Sequence, residues 1–245
     1  MDKIDIDIRE WLDSNNRCLL EEIEKVIPVK FTLWGEESYA CQVHQNCTGE
    51  DIEAEVFYKE PLSQPKFAHE LLHVKTTIVL GNNRIMFSID NQTIPFKTIM
   101  NSNAQDISNV CEHIIFYPDY LDFGYDEDSF EQPTDLDDRR DELSSLAREG
   151  LKTNGHYSPK KVSVYLSLIF TFLFYPIEDR FRNEVKVLRK IDFPLFSRIN
   201  KLKIACTDLD IVSENREYIQ DAYYEFAKDI NEWFSKAFQG LVFKE

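Results

Sequence analysis

Two histidines four residues apart, with a glutamate beside the first, carry the most specific chemistry in this chain: Phe67-Ala68-His69-Glu70-Leu71-Leu72-His73-Val74. On a helix, residues four apart lie one above the other on the same face. His69 and His73 can therefore aim two ring nitrogens at one point, and Glu70 can reach a water held there. H-E-x-x-H is the spacing of a metal-assisted hydrolase, with two neutral nitrogen ligands for zinc and a nearby carboxylate as base. The neighbours sharpen the reading. His69 and Glu70 sit among Phe67, Ala68, Leu71, Leu72, Val74, Ile78, Val79 and Leu80. Polar groups on so apolar a helix cost free energy unless something satisfies them, and one metal ion would satisfy both rings.

A catalytic zinc usually takes three protein ligands and leaves a fourth position for water. The third is expected from Ser108-Asn109-Val110-Cys111-Glu112-His113-Ile114. Glu112 and His113 are adjacent, so a helix points them about 100° apart and only one can ligate easily. Glu112 is the expected ligand, completing a His₂Glu set, with His113 as the alternative or as a residue lining the cleft. Asn109 is a candidate to hydrogen-bond a ligand, and Cys111 falls with Ile107 and Ile114 on a core face.

His69-Glu70-Leu71-Leu72-His73, followed by a Glu-bearing second helix, resembles the zincin metallopeptidases, and in particular the gluzincins. The resemblance covers residues 28–125. The metzincin extension is absent, because Val74-Lys75-Thr76-Thr77 lacks the Gly and third His of that subfamily. The Asn-Glu dipeptide usual in gluzincins is also absent, Asn109 and Glu112 being three apart. The resemblance implies a Zn2+ peptidase in which Glu70 takes a proton from the attacking water and returns it to the leaving nitrogen. An oxyanion donor is then needed; Tyr117, Tyr120, Tyr125 and His113 are the candidates.

The elements that must position these groups follow from pattern and punctuation. A helix is expected over 8–26, ended by Pro28. Strands are expected over 29–34, 39–44 and 51–58, the first two as a hairpin. The motif helix should start near Ser63 as N-cap, with Pro65 in its first turn, and stop at Gly81. Segments 85–89 and 94–100 read as short helix or loop, and 107–117 as a helix closed by Pro118. After an acidic stretch over 119–142, read as a solvated linker or helix face, helices are expected over 135–151, 159–175, 177–191, 194–206 and 213–238. The fold class is α+β: a small mixed sheet packed on the H-E-x-x-H helix, then a predominantly helical C-terminal region. The expected domains are 1–125, catalytic, and 126–245, helical.

Composition bounds the partners. The 245 residues carry 28 basic and 44 acidic side chains, a net charge of −16, which sets nucleic-acid phosphate aside as a general partner. Cys18, Cys41, Cys47, Cys111 and Cys206 are odd in number and form no C-x-x-C pair, as expected of free thiols in a reducing compartment. The first residues are too acidic for a signal peptide, and the apolar run 162–176 is shorter than the roughly 20 residues of a bilayer span. A cytoplasmic protein with no membrane segment is expected, acting on a specific intracellular protein or peptide. The other class of reading is a non-catalytic interaction module with a structural or vestigial zinc site. Tyr218, Tyr223, Tyr224, Phe226, Trp233, Phe234 and Phe238 form an aromatic stripe, part of which would serve as a partner or dimer surface. His44 and His156 are expected to be surface or packing residues.

Overall fold

The computed structural model describes residues 8–33, 39–45, 52–80, 91–100, 103–130, 133, 135–177, 179–209 and 216–239, with the backbone alone at 44, 45, 80, 105 and 216. The chain is α+β. It opens with a 3-10 turn and helix α1 (Ser14–Glu24). Strands β1 (Val29–Leu33), β2 (Ala40–Gln45) and β3 (Ile52–Tyr58) and helices α2 (Gln64–Leu80), α3 (Ile94–Met100) and α4 (Ala104–Asp122) follow. Beyond them come α5 (Leu136–Glu149), the short pair β4 (Lys152–Thr153) and β5 (His156–Tyr157), and helices α6 (Pro159–Phe172), α7 (Arg182–Ile191), α8 (Phe193–Thr207) and α9 (Arg216–Ala237). Among the described residues no helix is long and apolar enough to cross a membrane.

Chain contacts divide the molecule into residues 1–81 with 116–131, and residues 82–115 with 132–245. The expected boundary near residue 125 is replaced by an interleaved one. The cut falls inside α4, so that one continuous helix belongs to both units.

In the first unit β3 is the central strand. The sheet order is β1-β3-β2, with β1 parallel to β3 and β2 antiparallel to it. The expected β1–β2 hairpin therefore does not form. The reason lies in β3, whose Ala54 and Val56 are fully buried and need a neighbour on each side, whereas β1 alternates between half-buried and exposed residues. The sheet packs on α2.

Helix α1 starts six residues later than the periodicity predicts. Asp13, in an extended conformation, caps it by accepting from the backbone N–H of Asn16 at 2.8 Å, and a cap there excludes a helix running through it. Asn16 is itself buried. Its Nδ2 donates to the Gln64 carbonyl at 3.0 Å, to Gln64 Oε1 at 2.9 Å and to Tyr125 Oη at 2.9 Å. Tyr125 in turn donates to Asp13 Oδ2 at 2.7 Å. This network ties the start of α1 to the first residue of the motif helix.

Helix α4 runs through Pro118 and ends four residues beyond it. A proline inside a helix removes one backbone hydrogen bond and usually kinks or stops it. Here Tyr117 and Tyr120, which flank it, are both buried, and that packing holds the last turn in place.

In the second unit Tyr165 is the buried hub. Its hydroxyl donates to the carbonyls of Leu188 and Asp192 at 2.9 and 3.1 Å. Asp192 caps α8 through the N–H of Leu195 and accepts from Tyr157 Oη at 2.8 Å. Burial, with Asp192 beside it, pushes the Tyr157 hydroxyl up to about 12, so it stays a donor. Tyr157 ends a hairpin that was not anticipated: β4 and β5 pair across Asn154-Gly155, both at positive φ, the pairing that a two-residue turn of this hand requires. Of the acidic stretch, Asp119 and Asp122 lie on α4, Glu127 and Asp128 in a 3-10 turn, and Asp137, Asp138, Asp141 and Glu142 on the exposed face of α5. On α9, Tyr223, Phe226, Trp233, Phe234 and Phe238 are buried, while Tyr218 and Tyr224 are exposed. Cys18, Cys41, Cys111 and Cys206 are free thiols; Cys47 lies outside the described residues, as does segment 85–89.

Asn16→Ala is expected to destabilise the protein by about 2 kcal/mol, the cost of leaving buried hydrogen-bonding partners unmatched. Urea unfolding measures this. A change under roughly 0.5 kcal/mol, the size of an ordinary surface substitution, would show that the network does not anchor α2.

Candidate metal centre

Helix α2 is apolar on nearly every face and correspondingly buried on nearly every face, as expected of a helix without a polar stripe. Phe67, Ala68, Leu71, Leu72 and Val74 have essentially no exposed surface. His69, Glu70 and His73 are carried inside with them, at 5, 7 and 6% exposure. The two imidazoles stand edge to face with centroids 4.8 Å apart.

The third donor comes from α4. Ligand atoms of His69, His73 and His113 all lie within 4.8 Å of one another. Bonds from one ion to imidazole nitrogens are about 2.0–2.1 Å, so the three nitrogens would draw closer together on binding a single metal. The donor set is chemically uniform, three neutral nitrogens, and suits zinc, copper, iron or nickel better than a hard cation such as magnesium or calcium. The residues present thus fit a metal.

The rings are held by phenylalanines. Phe116 lies edge to face with His69 and with His73, at 5.4 and 4.8 Å, and Phe130 with His69 at 5.2 Å. Tyr117 and Tyr120 pack on Phe130, each with centroids 5.1 Å away. Such an apolar shell restricts both ring orientation and solvent access.

Glu70 is placed as the sequence anticipates, next to its histidine. His69 Nδ1 lies 3.3 Å from Glu70 Oε1. With its proton on Nδ1, His69 donates to the carboxylate and keeps the Nε2 lone pair for an ion. Burial pushes the Glu70 carboxyl up. The hydrogen bond from His69, the positive charge of His69 and His73 and a hydrogen bond from the Cys41 thiol push it down, and the net displacement is below the usual carboxylate range.

Glu112, the expected third ligand, is not in the cluster. Its Oε1 accepts from Ser108 Oγ at 3.3 Å, and its charge acts on Cys111 and Tyr223. Cys111 is fully buried, as its place on the core face implies, and burial, with Cys206 beside it, pushes its thiol well up. Asn109 is exposed. Of the tyrosines considered as oxyanion donors, Tyr125 is committed to Asp13 and Tyr120 to Ser129 at 2.8 Å. Tyr117 is buried one helical turn after His113. The side chain of His44 lies outside the described residues, and His156 is an exposed strand residue of the β4–β5 hairpin.

Three residues of the site were not anticipated: Cys41, Phe116 and Phe130. Cys41 could have been found. In β2 it alternates with the exposed Gln42 and pairs in register with the buried Val56, so it sits on the inward face. Thr76, on the histidine face one turn beyond His73, is fully buried and its hydroxyl has no hydrogen-bond partner among the described residues. It is an orphaned polar group on the same stripe as His69 and His73. Comparison of the chain with known protein families, with curated proteins and with solved structures gave no match.

The geometry separates the two candidates for third ligand. His113→Ala is expected to weaken zinc affinity by more than the roughly 10–100-fold that loss of an outer partner costs, whereas Glu112→Ala leaves it within a few-fold of the unmodified protein. Competition with a chromophoric chelator reads both. The reverse order would place the ion on Glu112.

Proposed function

We propose that this chain is a zinc-dependent metallopeptidase, with His69, His73 and His113 as ligands and Glu70 as general base. The observation that carries the reading is the convergence of three imidazoles beside a buried carboxylate on one motif helix. A zinc bound there would lower the pKa of its water toward neutrality and polarise a carbonyl.

The protein's own groups supply the rest. Glu70 accepts the proton of the attacking water and passes it to the leaving nitrogen, a transfer that a carboxylate held in an apolar wall performs without reorganising solvent. Tyr117 is the hydroxyl best placed along α4 to meet the developing oxyanion. A peptide substrate is supported by the sheet. Among the described residues β2 is an edge strand in the order β1-β3-β2, and it carries Cys41, which hydrogen-bonds the base. An extended peptide added to that edge would run beside Glu70, a known mode of peptide capture. The substrate is read as a specific protein rather than bulk peptide, because so enclosed a site admits few conformations.

The second reading is an interaction protein in which the metal is structural. The near-complete burial of His69 and His73 favours it, since structural sites are closed and catalytic ones keep an open position.

Glu70→Gln distinguishes the two. It keeps the side chain's shape and removes the base, so zinc should remain at roughly one per chain, as a site with intact ligands requires, while cleavage of a peptide library drops by about 10²–10⁴-fold. Metal analysis and mass spectrometry of the products provide the readouts. A zinc-loaded parent protein that cuts no peptide in the library, or a variant that cuts as fast as the parent, would leave the structural reading standing.

A further inference from the structure

The helical unit contains a cavity of about 540 Å³, walled by the end of α6, the residues after it, α7 and α8. None of its lining residues belongs to the metal centre. The volume falls within the roughly 300–1,000 Å³ typical of small-molecule sites.

Two helical stripes face into it. On α7, Arg182, Lys186 and Arg189 recur at four and three residues and line one wall. On α8, Phe193, Ser197 and Asn200 recur at the same spacing, with Lys203 three residues further on. A row of cations thus confronts a row of hydrogen-bonding groups. The charge balance inverts that of the whole molecule. Four basic side chains and one acidic one, Asp179, line the cavity, in a chain with 28 basic and 44 acidic residues.

The α7 cations are poorly neutralised. Asp179 reaches Arg182 at 3.6 Å, but both side chains are mostly exposed, and pairs of that kind contribute little. Lys186 and Arg189 are paired with no carboxylate among the described residues; the Arg189 guanidinium lies over the Phe193 ring, 5.2 Å from its centroid. Like charges three and four apart on a helix repel, and a bound anion would relieve that repulsion. The remaining wall is apolar. Phe172 and Phe181 meet edge to face at 5.1 Å, and Phe193 leaves 53% of its surface exposed at the same cavity.

We propose that this cavity binds a phosphate ester of small-molecule size, its phosphate on the α7 cations and its apolar or planar body against the exposed ring of Phe193, with the buried Phe172 and Phe181 behind the wall. A phosphate carries about two negative charges at neutral pH and offers three oxygens to the forked donors of arginine, which suits several converging cations better than a single carboxylate does. Ser197 and Asn200 complete the polar side. A nucleotide and an alkyl phosphate share this chemistry and differ in the body.

The full chain is titrated calorimetrically at low ionic strength with ADP, with hexyl phosphate and with inorganic phosphate. One of the esters is expected to bind at least about tenfold tighter than inorganic phosphate, an apolar contribution of the size one buried aromatic contact supplies, and the tighter of the two identifies the body. Lys186→Glu/Arg189→Glu should weaken ester binding by about tenfold or more, since two charge-assisted contacts are lost. Both positions are exposed, so the circular dichroism spectrum should not change. Phe193→Ser should weaken the esters and leave inorganic phosphate unaffected, and it carries the test should the double variant misfold. The proposal is overturned by esters no tighter than inorganic phosphate, by variants that bind as the parent does, or by no heat from any of the three at millimolar concentration.

Discussion

Burial of polar side chains on an apolar helix is the constraint from which the candidate site follows. Because α2 is apolar on almost every face, it packs on every face, and any polar residue it carries is withdrawn from water with it. His69, Glu70 and His73 keep only a small fraction of their surface exposed. Such groups must be satisfied internally or destabilise the fold by several kcal/mol, on the order of 1–3 for each unmatched one. The arrangement found partly meets that demand: His69 and Cys41 hydrogen-bond the Glu70 carboxylate, and the rings lie edge to face with Phe116 and Phe130. The ring nitrogens of His69, His73 and His113 lie within 4.8 Å of one another, and a single cation could meet all three.

His113 and Glu112, one residue apart on α4, have different surroundings: His113 lies with His69 and His73, Glu112 beside Ser108. His113 stands at the head of a stripe that continues through Tyr117 and Tyr120, at four and seven residues. Both tyrosines are buried against Phe130, and that aromatic stripe fixes which side of α4 faces the α2 histidines. Glu112 has Ser108 four residues before it and Phe116 four after, and its Oε1 accepts from Ser108 Oγ at 3.3 Å. Neighbours along the helix therefore do not separate the two residues, since Phe116 itself packs on both α2 histidines.

The same distinction between local and nonlocal information separates what the sequence made legible from what it did not. The motif helix, with Pro65 in its first turn, and helices α5, α6, α8 and α9 lie within a few residues of the expected spans, because an amphipathic or wholly apolar period and a terminal proline or cap are local signals. The α+β class followed from the same signals. Sheet order did not, since nothing in β1 or β2 alone states that β3 will lie between them; only the full burial of Ala54 and Val56 says so. The helix through Pro118 was hidden for a related reason: proline is a local stop signal, and the packing of Tyr117 and Tyr120 that overrides it is tertiary. The late start of α1 and the Asn154-Gly155 hairpin do carry local signals, Asp13 as a helix cap and Asn-Gly as a two-residue turn.

Charge shows the limit of composition most clearly. A net charge of −16 describes the field far from the molecule and governs encounters with large polyanions, whose many phosphates sample the whole surface. It says little about a cavity a few ångströms across, where screening by water and salt confines each charge to its near neighbours. On α7 the basic residues fall at positions 182, 186 and 189, a period that gathers them on one face, while Leu188 turns inward and Glu184 pairs with Arg140 at 2.9 Å. The acid of that helix is thereby engaged away from the basic stripe, and the stripe keeps its sign in an otherwise acidic protein. Averages over the chain exclude partners that read the chain as a whole; they leave open any ligand small enough to meet only one face of one helix.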